Sequence, residues 1–228
     1  MTLDHLAALA DTQRRFAATL ATTDPEAPVT SCGAWRVADL ALHLGGVHWW
    51  AAAMALGVDL DPHEPARPRD AASLTAFYTW AAGHLVDTLA EVGDTPALTL
   101  VGRGPATFWR RRQLHETLIH LWDLQEAAGA GHDALPDEVW ADAVAEVADT
   151  LAPRQVRIGR APTFPHAIDL ACAQGAWRLG PGGPAAATVR ATARDLALVL
   201  WHRVDAVTLT VTGDRTAAHR TLALPLTP

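Results

Sequence analysis

The sequence contains no lysine, and all 18 of its basic residues are arginine. This absence excludes a lysine Schiff base as the chemistry of the protein. Acidic residues number 25, which gives a formal charge of −7. A surface that follows the phosphates of a nucleic acid needs a basic excess, so the charge argues against nucleic acid as the main partner.

Cysteine and long apolar runs are also scarce. Cys32 and Cys172 are too few for a disulfide framework and fit a reducing compartment. Half of the residues are hydrophobic, yet no apolar run approaches the roughly 20 residues of a membrane-spanning helix. The first residues lack the basic start and apolar core of a signal peptide. We therefore expect a globular cytoplasmic protein with no membrane partner.

Four segments in the first part of the chain carry apolar residues at helical spacing. The third follows Asp70, which is a good N-cap, and the fourth runs from Trp109 to Glu126 without proline or glycine. The stretch between residues 93 and 105 is predicted to be a loop. Four amphipathic helices predict a four-helix bundle, whose core can host a metal between facing helices.

The pattern changes after the fourth helix. Residues 136–151 predict a short bridging helix, and Pro153 marks a boundary. Beyond it, short β-branched or alternating runs between glycines and prolines are typical of strands, and they surround one further helix. The sequence therefore predicts an α+β protein with two domains. These are a four-helix bundle with its bridging helix over residues 1–152, and a small α+β domain over residues 153–228.

The fourth helix carries a pair of residues that can bind one ion. Glu116 and His120 are four residues apart and share a face. The surrounding H-E-x-x-x-H string is not the HExxH motif of zinc proteases. His115 and His120 are five residues apart and point about 140° away from each other on a helix. A third ligand must come from elsewhere in the chain.

His43 is the candidate for that third ligand, because the second helix is predicted to turn it towards the bundle. Two imidazoles and one carboxylate with open positions are typical of catalytic zinc sites and also suit non-haem Fe(II). The alternative is that Glu116 forms an ordinary exposed ion pair with Arg112. The two histidines would then be core residues satisfied by hydrogen bonds.

Two neighbouring polar residues have simpler predictions. His48 is five residues after His43 and is predicted to lie on the surface or the rim. Asp123 is predicted either to accept a hydrogen bond from His120 or to be exposed.

Three strings of the sequence resemble the mycothiol-dependent maleylpyruvate isomerase family. They are CGAWRVADLALHLGGVHWW, FWRRRQLHETLIHLWDLQEAAG, and ATARDLALVLWHR followed by VTGD. The resemblance touches both halves of the chain in the right order. It implies a DinB-like metal-binding four-helix bundle followed by a small domain like the sterol carrier proteins. It also implies a divalent metal, usually zinc, bound by His43, Glu116 and His120.

The resemblance further implies a mechanism. The metal-bound thiolate of mycothiol, or of a similar low-molecular-weight thiol, adds to an electron-poor double bond, and rotation and elimination then give the trans isomer. An anionic substrate needs cationic clamps. Arg203 resembles the arginine that closes the second domain's helix in the family, and Arg111 or Arg112 is expected at the bundle mouth. A solvated helix end is the alternative role for each arginine.

Two other functions stay open. The same thiolate could transfer its sulfur onto an electrophile, as in detoxification or biosynthesis. The sterol-carrier-like half could instead make the chain a non-enzymatic binding protein for a small ligand. In every case the expected partner is a small molecule, and for the two enzymes it is an anionic or electrophilic one.

Overall fold

The structure is a computed structural model that describes residues 3–58 and 68–228. The chain forms two compact units that divide between Asp133 and Ala134. The predicted boundary, at residues 152 and 153, lies further along the chain. The difference arises because the helix Asp137–Glu146, which was predicted to belong to the first domain, packs on the helix Ala193–Leu200 of the second unit. Pro153 lies inside the first turn of a helix, where proline is tolerated.

Among its described residues, the first unit has four α-helices, as predicted. Helix α2 packs on α3 and α4, and helix α1 packs on the same two helices, which gives a four-helix bundle. The helices are α1 (His5–Leu20), α2 (Val37–Leu56), α3 (Ala71–Val92) and α4 (Phe108–Ala127).

The segment predicted as a loop between α3 and α4 contains a short antiparallel hairpin. Its strands are β1 (Pro96–Thr99) and β2 (Gly102–Pro105). The prediction of a loop was therefore wrong here. Each strand has only four residues, too few to show a strand period, and three of the four residues of β2 are glycine or proline.

Carboxylates cap the starts of three bundle helices. Asp4 accepts hydrogen bonds from two backbone N–H groups of α1, and Asp70 accepts one from Ser73, as its predicted N-cap role requires. At α2, the Asp39 carboxylate accepts the backbone N–H of Arg36. These bonds satisfy donors that a helix leaves free in its first turn.

The second unit combines helices with a mixed four-stranded sheet of order β4-β3-β5-β6. Strands β3 and β5 are parallel, and the other pairs are antiparallel. Its strands and helices are β3 (Ala167–Cys172), β4 (Gly175–Leu179), β5 (Ala185–Arg190), β6 (Thr210–Gly213), α5 (Asp137–Glu146), α6 (Ala152–Arg157), α7 (Ala193–Leu200) and α8 (Arg215–Leu222). A π-helical turn, Val147–Leu151, joins α5 to α6. The predicted α+β class is confirmed, and α8 was not predicted.

No helix in the described ranges is both long and apolar enough to cross a membrane.

Helix α2 is buried on more than one face, and His48 lies inside as a result. Its exposed fraction is 0%, so the prediction of a surface position was wrong. The reason is that α2 packs on both α3 and α4, so that a single apolar stripe underestimates what the helix buries. Burial lowers the pKa of His48 to about 4, and the ring is neutral at pH 7.

The stability of the protein is therefore expected to fall in acid because of His48. The folded-state pKa, about 4, lies below the unfolded value of about 6.5. Between these two pKa values the unfolded chain binds more protons than the folded chain. The stability that the neutral His48 ring contributes is therefore fully present above pH 6.5 and is lost as the pH falls through 4. The loss amounts to about 3 kcal/mol. Urea unfolding of metal-stripped protein at pH 7 and pH 4.5 measures it, and His48→Leu should reduce the pH dependence.

Candidate metal centre

The bundle brings His43, Glu116 and His120 together, and these three residues are called the candidate metal centre below. His43 belongs to α2, and Glu116 and His120 are one turn apart on α4. The Oε1 atom of Glu116 lies 3.5 Å from Nε2 of His43 and 3.4 Å from Nε2 of His120. One nitrogen or oxygen atom from each residue lies within 4.8 Å of the others.

The spacing of these three atoms fits a divalent cation. Zinc bonds of about 2.0–2.1 Å in a tetrahedral arrangement place neighbouring ligand atoms roughly 3.4 Å apart. Both distances from Glu116 Oε1 match that spacing. Two neutral imidazoles and one carboxylate also leave a coordination position open for another ligand. The donor set therefore suits zinc and equally suits Fe(II).

The second carboxylate oxygen of Glu116 is held by Arg112. The Nη2 atom of Arg112 lies 3.0 Å from Oε2, and Arg112 is only 2% exposed. The ion pair considered from the sequence is thus present, but it is buried and coexists with the candidate metal centre. The expected position of Arg112 at the bundle mouth is not what the structure shows, because the guanidinium turns inward to the carboxylate. Arg111 is partly buried.

Glu116 is ionised in this environment. Burial by itself would raise the pKa of its carboxyl group. Hydrogen bonds from His120 and His43, together with the charge of Arg112, outweigh burial and hold this pKa well below its ordinary value. The Oε1 atom of Glu116 faces the two imidazoles, and Oε2 is paired with Arg112. Glu116 is thus arranged to bind a cation through Oε1 alone.

Asp123 orients His120 through the other ring nitrogen. The Nδ1 atom of His120 donates to Oδ2 of Asp123 at 2.9 Å, and Asp123 is 1% exposed. This contact decides between the two predictions for Asp123, since the residue is a buried acceptor. Because Asp123 keeps a proton on Nδ1, Nε2 is the nitrogen of His120 that can release its proton to bind a cation, the arrangement common among metal-binding histidines.

A loop before α2 completes the surroundings of Asp123. The Ser31 hydroxyl donates to Oδ1 of Asp123 at 2.6 Å, and the Cys32 thiol lies 3.6 Å from Oδ2. Cys32, His120 and Asp123 also bring three donor atoms within 4.8 Å of one another. In this set, however, His120 would use the nitrogen that already donates to Asp123, so the first set fits a cation better.

The indole of Trp35 stands beside both histidines. Its ring centroid lies 4.8 Å from that of His43 and 6.5 Å from that of His120. Sequence reasoning assigned neither Trp35 nor Ser31 to the site, because both belong to a non-periodic loop. Their position just before α2, the helix that carries His43, was the available signal.

Arg203 lies in the second unit, just after α7. It is partly buried, and its Nη1 donates to the backbone oxygen of Trp201 at 2.7 Å. It lines a cavity of about 510 Å³ within that unit, together with His202, Asp205 and His219. An arginine in a cavity differs from a solvated helix end, and its role in binding an anion stays a prediction.

The fold and the site define a class: a two-unit α+β protein whose helical bundle carries a partly buried His–Glu–His cluster suited to a divalent cation. Residues 6–125 match the family model described as the mycothiol maleylpyruvate isomerase N-terminal domain. The chain belongs to that family, which confirms the resemblance found in the sequence.

Solved structures agree on the fold. A crystal structure of the mycothiol-dependent maleylpyruvate isomerase superposes with a TM-score of 0.68 at 15% identity. That of a histidine-to-alanine mutant of the same enzyme gives 0.70 at 14% identity. In both cases the match covers 92% of this chain and 93% of the other. No curated protein sequence gives a significant match.

Proposed function

We propose that this chain is a divalent-metal-dependent isomerase that uses mycothiol or a similar low-molecular-weight thiol, with zinc as the metal. The observation that carries the proposal is the position of Glu116 Oε1, 3.5 Å and 3.4 Å from the Nε2 atoms of His43 and His120. Family membership supports the choice of reaction, because the family model takes its description from a mycothiol-dependent isomerase.

A divalent ion bound at this centre supplies Lewis acidity, which lowers the pKa of a thiol and favours the enolate that forms when a thiolate adds to an electron-poor double bond. The protein's residues set the charge of the centre. A divalent ion held by two neutral imidazoles and the single negative charge of Glu116 would keep a net positive charge, which would attract anions. The Trp35 ring beside both histidines limits the access of water from its side.

The two arginines predicted to be catalytic have different proposed roles. Arg112 acts through Glu116, because its buried guanidinium holds Oε2 and thereby directs Oε1. Arg203 binds an anionic group of the substrate from its cavity in the second unit. The proposed substrate is a small anionic or electrophilic molecule with a polarised double bond, and maleylpyruvate is the first to test.

Arg203→Ala is expected to raise the KM for an anionic substrate by at least roughly tenfold, because a charge-assisted hydrogen bond is lost. The zinc content should stay unchanged, since Arg203 is not among the proposed ligands. Steady-state kinetics and elemental analysis on the same preparation measure both quantities. Arg220→Ala, which removes an exposed arginine from α8 of the same unit, is the matched control. Unaltered kinetics for Arg203→Ala would show that Arg203 does not bind the substrate.

The type of reaction is tested by following the thiol. Isomerisation regenerates the thiol, so its concentration stays constant while the cis substrate is converted. S-transfer consumes one thiol for each electrophile. Simultaneous measurement of free thiol and product therefore separates the proposed isomerase from a transferase. A protein that binds an apolar ligand and shows neither reaction would be a carrier instead.

A further inference from the structure

A hydrogen bond in the bundle core joins the two helices that carry the candidate metal centre. His48 of α2 and Gln113 of α4 meet through Nδ1 and Oε1 at 2.8 Å. Their exposed fractions are 0% and 1%. Since His48 is neutral and the amide oxygen of Gln113 can only accept, Nδ1 carries the proton and donates.

This bond lies next to the candidate metal centre along both helices. Gln113 is three residues before Glu116 on α4, and His48 is five residues after His43 on α2. Helix α2 packs more extensively on α3 than on α4, so apolar packing alone constrains the α2–α4 seam less. A buried hydrogen bond with a directional donor and acceptor fixes the rotation and the axial position of one helix against the other.

Two further buried polar residues, Tyr78 and Gln13, belong to the other two helices of the bundle. Tyr78 of α3 has its ring 5.7 Å from that of His48, and Gln13 lies on α1. Both are buried, at 0% and 4% exposure. Tyr78 Oη and Gln13 Nε2 make no hydrogen bond within the described part of the chain. Neither residue belongs to a helix that carries a proposed metal ligand.

We infer that His48 and Gln113 are positioning residues of the candidate metal centre: their hydrogen bond holds α2 in register with α4, so that Nε2 of His43 faces Oε1 of Glu116. The inference rests on the proposed function, because it concerns the affinity for the proposed metal. Loss of this bond displaces His43 from the other two ligands. The zinc affinity then falls, while the three ligands themselves remain in the chain.

The test compares Gln113→Leu with Gln13→Leu. Both variants replace a buried glutamine by leucine, but only Gln113 is bonded to His48. Competition with a chromophoric chelator measures zinc affinity, and urea unfolding of the metal-free proteins measures stability. Gln113→Leu should weaken zinc binding by about 10- to 100-fold, the range seen when residues that orient metal ligands are replaced. Gln13→Leu should stay within about threefold of the parent chain, because its amide holds no ligand-bearing helix.

A double-mutant cycle with His48→Leu identifies the bond as the cause. If the two residues act through their mutual hydrogen bond, His48→Leu/Gln113→Leu should lose no more zinc affinity than either single variant. Additive losses, or equal zinc affinity for Gln113→Leu and Gln13→Leu, would overturn the inference. A parent chain that binds no zinc would instead refute the proposed function, so the two failures are distinguishable.

A measurement on the unaltered chain covers the case in which the leucine variants do not fold. Coupling between two equilibria is reciprocal, so zinc must stabilise the His48–Gln113 bond if that bond favours zinc binding. The exchange of the His48 Nδ1 proton with solvent, followed by NMR, should slow by at least about tenfold when zinc is added. An unchanged exchange rate in a zinc-loaded protein would contradict the inference.

Discussion

Replacing His43 by alanine should weaken zinc binding by more than about 100-fold, beyond the effect expected of a residue that only orients a ligand. The substitution removes one of three proposed ligands. Both remaining ligands, Glu116 and His120, lie on α4, so no proposed ligand is left on α2. The His43 side chain is 33% exposed, so its loss should cost little folding stability. Equilibrium dialysis against buffered zinc measures the affinity, and thermal unfolding of the metal-free protein checks the fold.

His84→Ala is the matched control for this experiment. His84 is an exposed histidine on α3 whose ring stacks on Trp80, outside the candidate metal centre. Its replacement removes an imidazole from the same bundle and should leave zinc affinity unchanged. If His43→Ala and His84→Ala bind zinc equally well, His43 is not a ligand and the assignment from α2 is wrong.

Asp123→Ala should lower zinc affinity by about 10- to 100-fold, although Asp123 is not a proposed ligand. The carboxylate accepts a hydrogen bond from Nδ1–H of His120, so that Nε2 is the nitrogen directed at the ion. Without this acceptor, the His120 ring loses its fixed orientation and tautomer. A competition titration with a zinc chelator measures the loss, and added zinc should restore activity at saturation.

Ser31→Ala separates the orientation of His120 from the anchoring of the loop. The Ser31 hydroxyl bonds to the other oxygen of Asp123, so this variant weakens the loop contact and leaves the His120 contact intact. Its zinc affinity should stay within a few-fold of the parent chain. Equal losses in Ser31→Ala and Asp123→Ala would show that the loop, rather than the orientation of His120, controls zinc binding.

Helix periodicity made part of this site predictable. The spacing of Glu116 and His120 placed them on one face of α4, and the structure retains that face within a helix of the predicted extent. His43 followed from the apolar stripe of α2, and the structure brings its ring to Glu116. Such residues are predictable because a helix fixes the relative directions of its side chains over short distances.

Contacts between elements were harder to predict. His48 was assigned to the surface because only one face of α2 was considered buried, whereas α2 packs on two helices. The bond from Ser31 to Asp123 joins a loop to α4 across 92 positions of sequence, and no local pattern encodes such a contact. The hairpin of β1 and β2 was missed for another reason, since its strands are too short and too rich in glycine and proline.

The buried pair of Arg112 and Glu116 shows that two alternatives from the sequence are compatible. An ion pair at this spacing on an exposed helix would contribute only about 0.3–0.5 kcal/mol and would compete with metal binding. In the structure each oxygen of Glu116 has its own partner, Arg112 for Oε2 and the two histidines for Oε1. The ion pair therefore supports the candidate metal centre by fixing the carboxylate.

The most direct test of the central claim is elemental analysis of the purified chain, combined with a thiol-dependence assay on the same preparation. The account predicts about one divalent ion per chain, as expected for a single three-ligand site. It also predicts isomerase activity that requires an added low-molecular-weight thiol, is lost on chelation and returns with zinc. A metal-free preparation that keeps full activity would contradict the account.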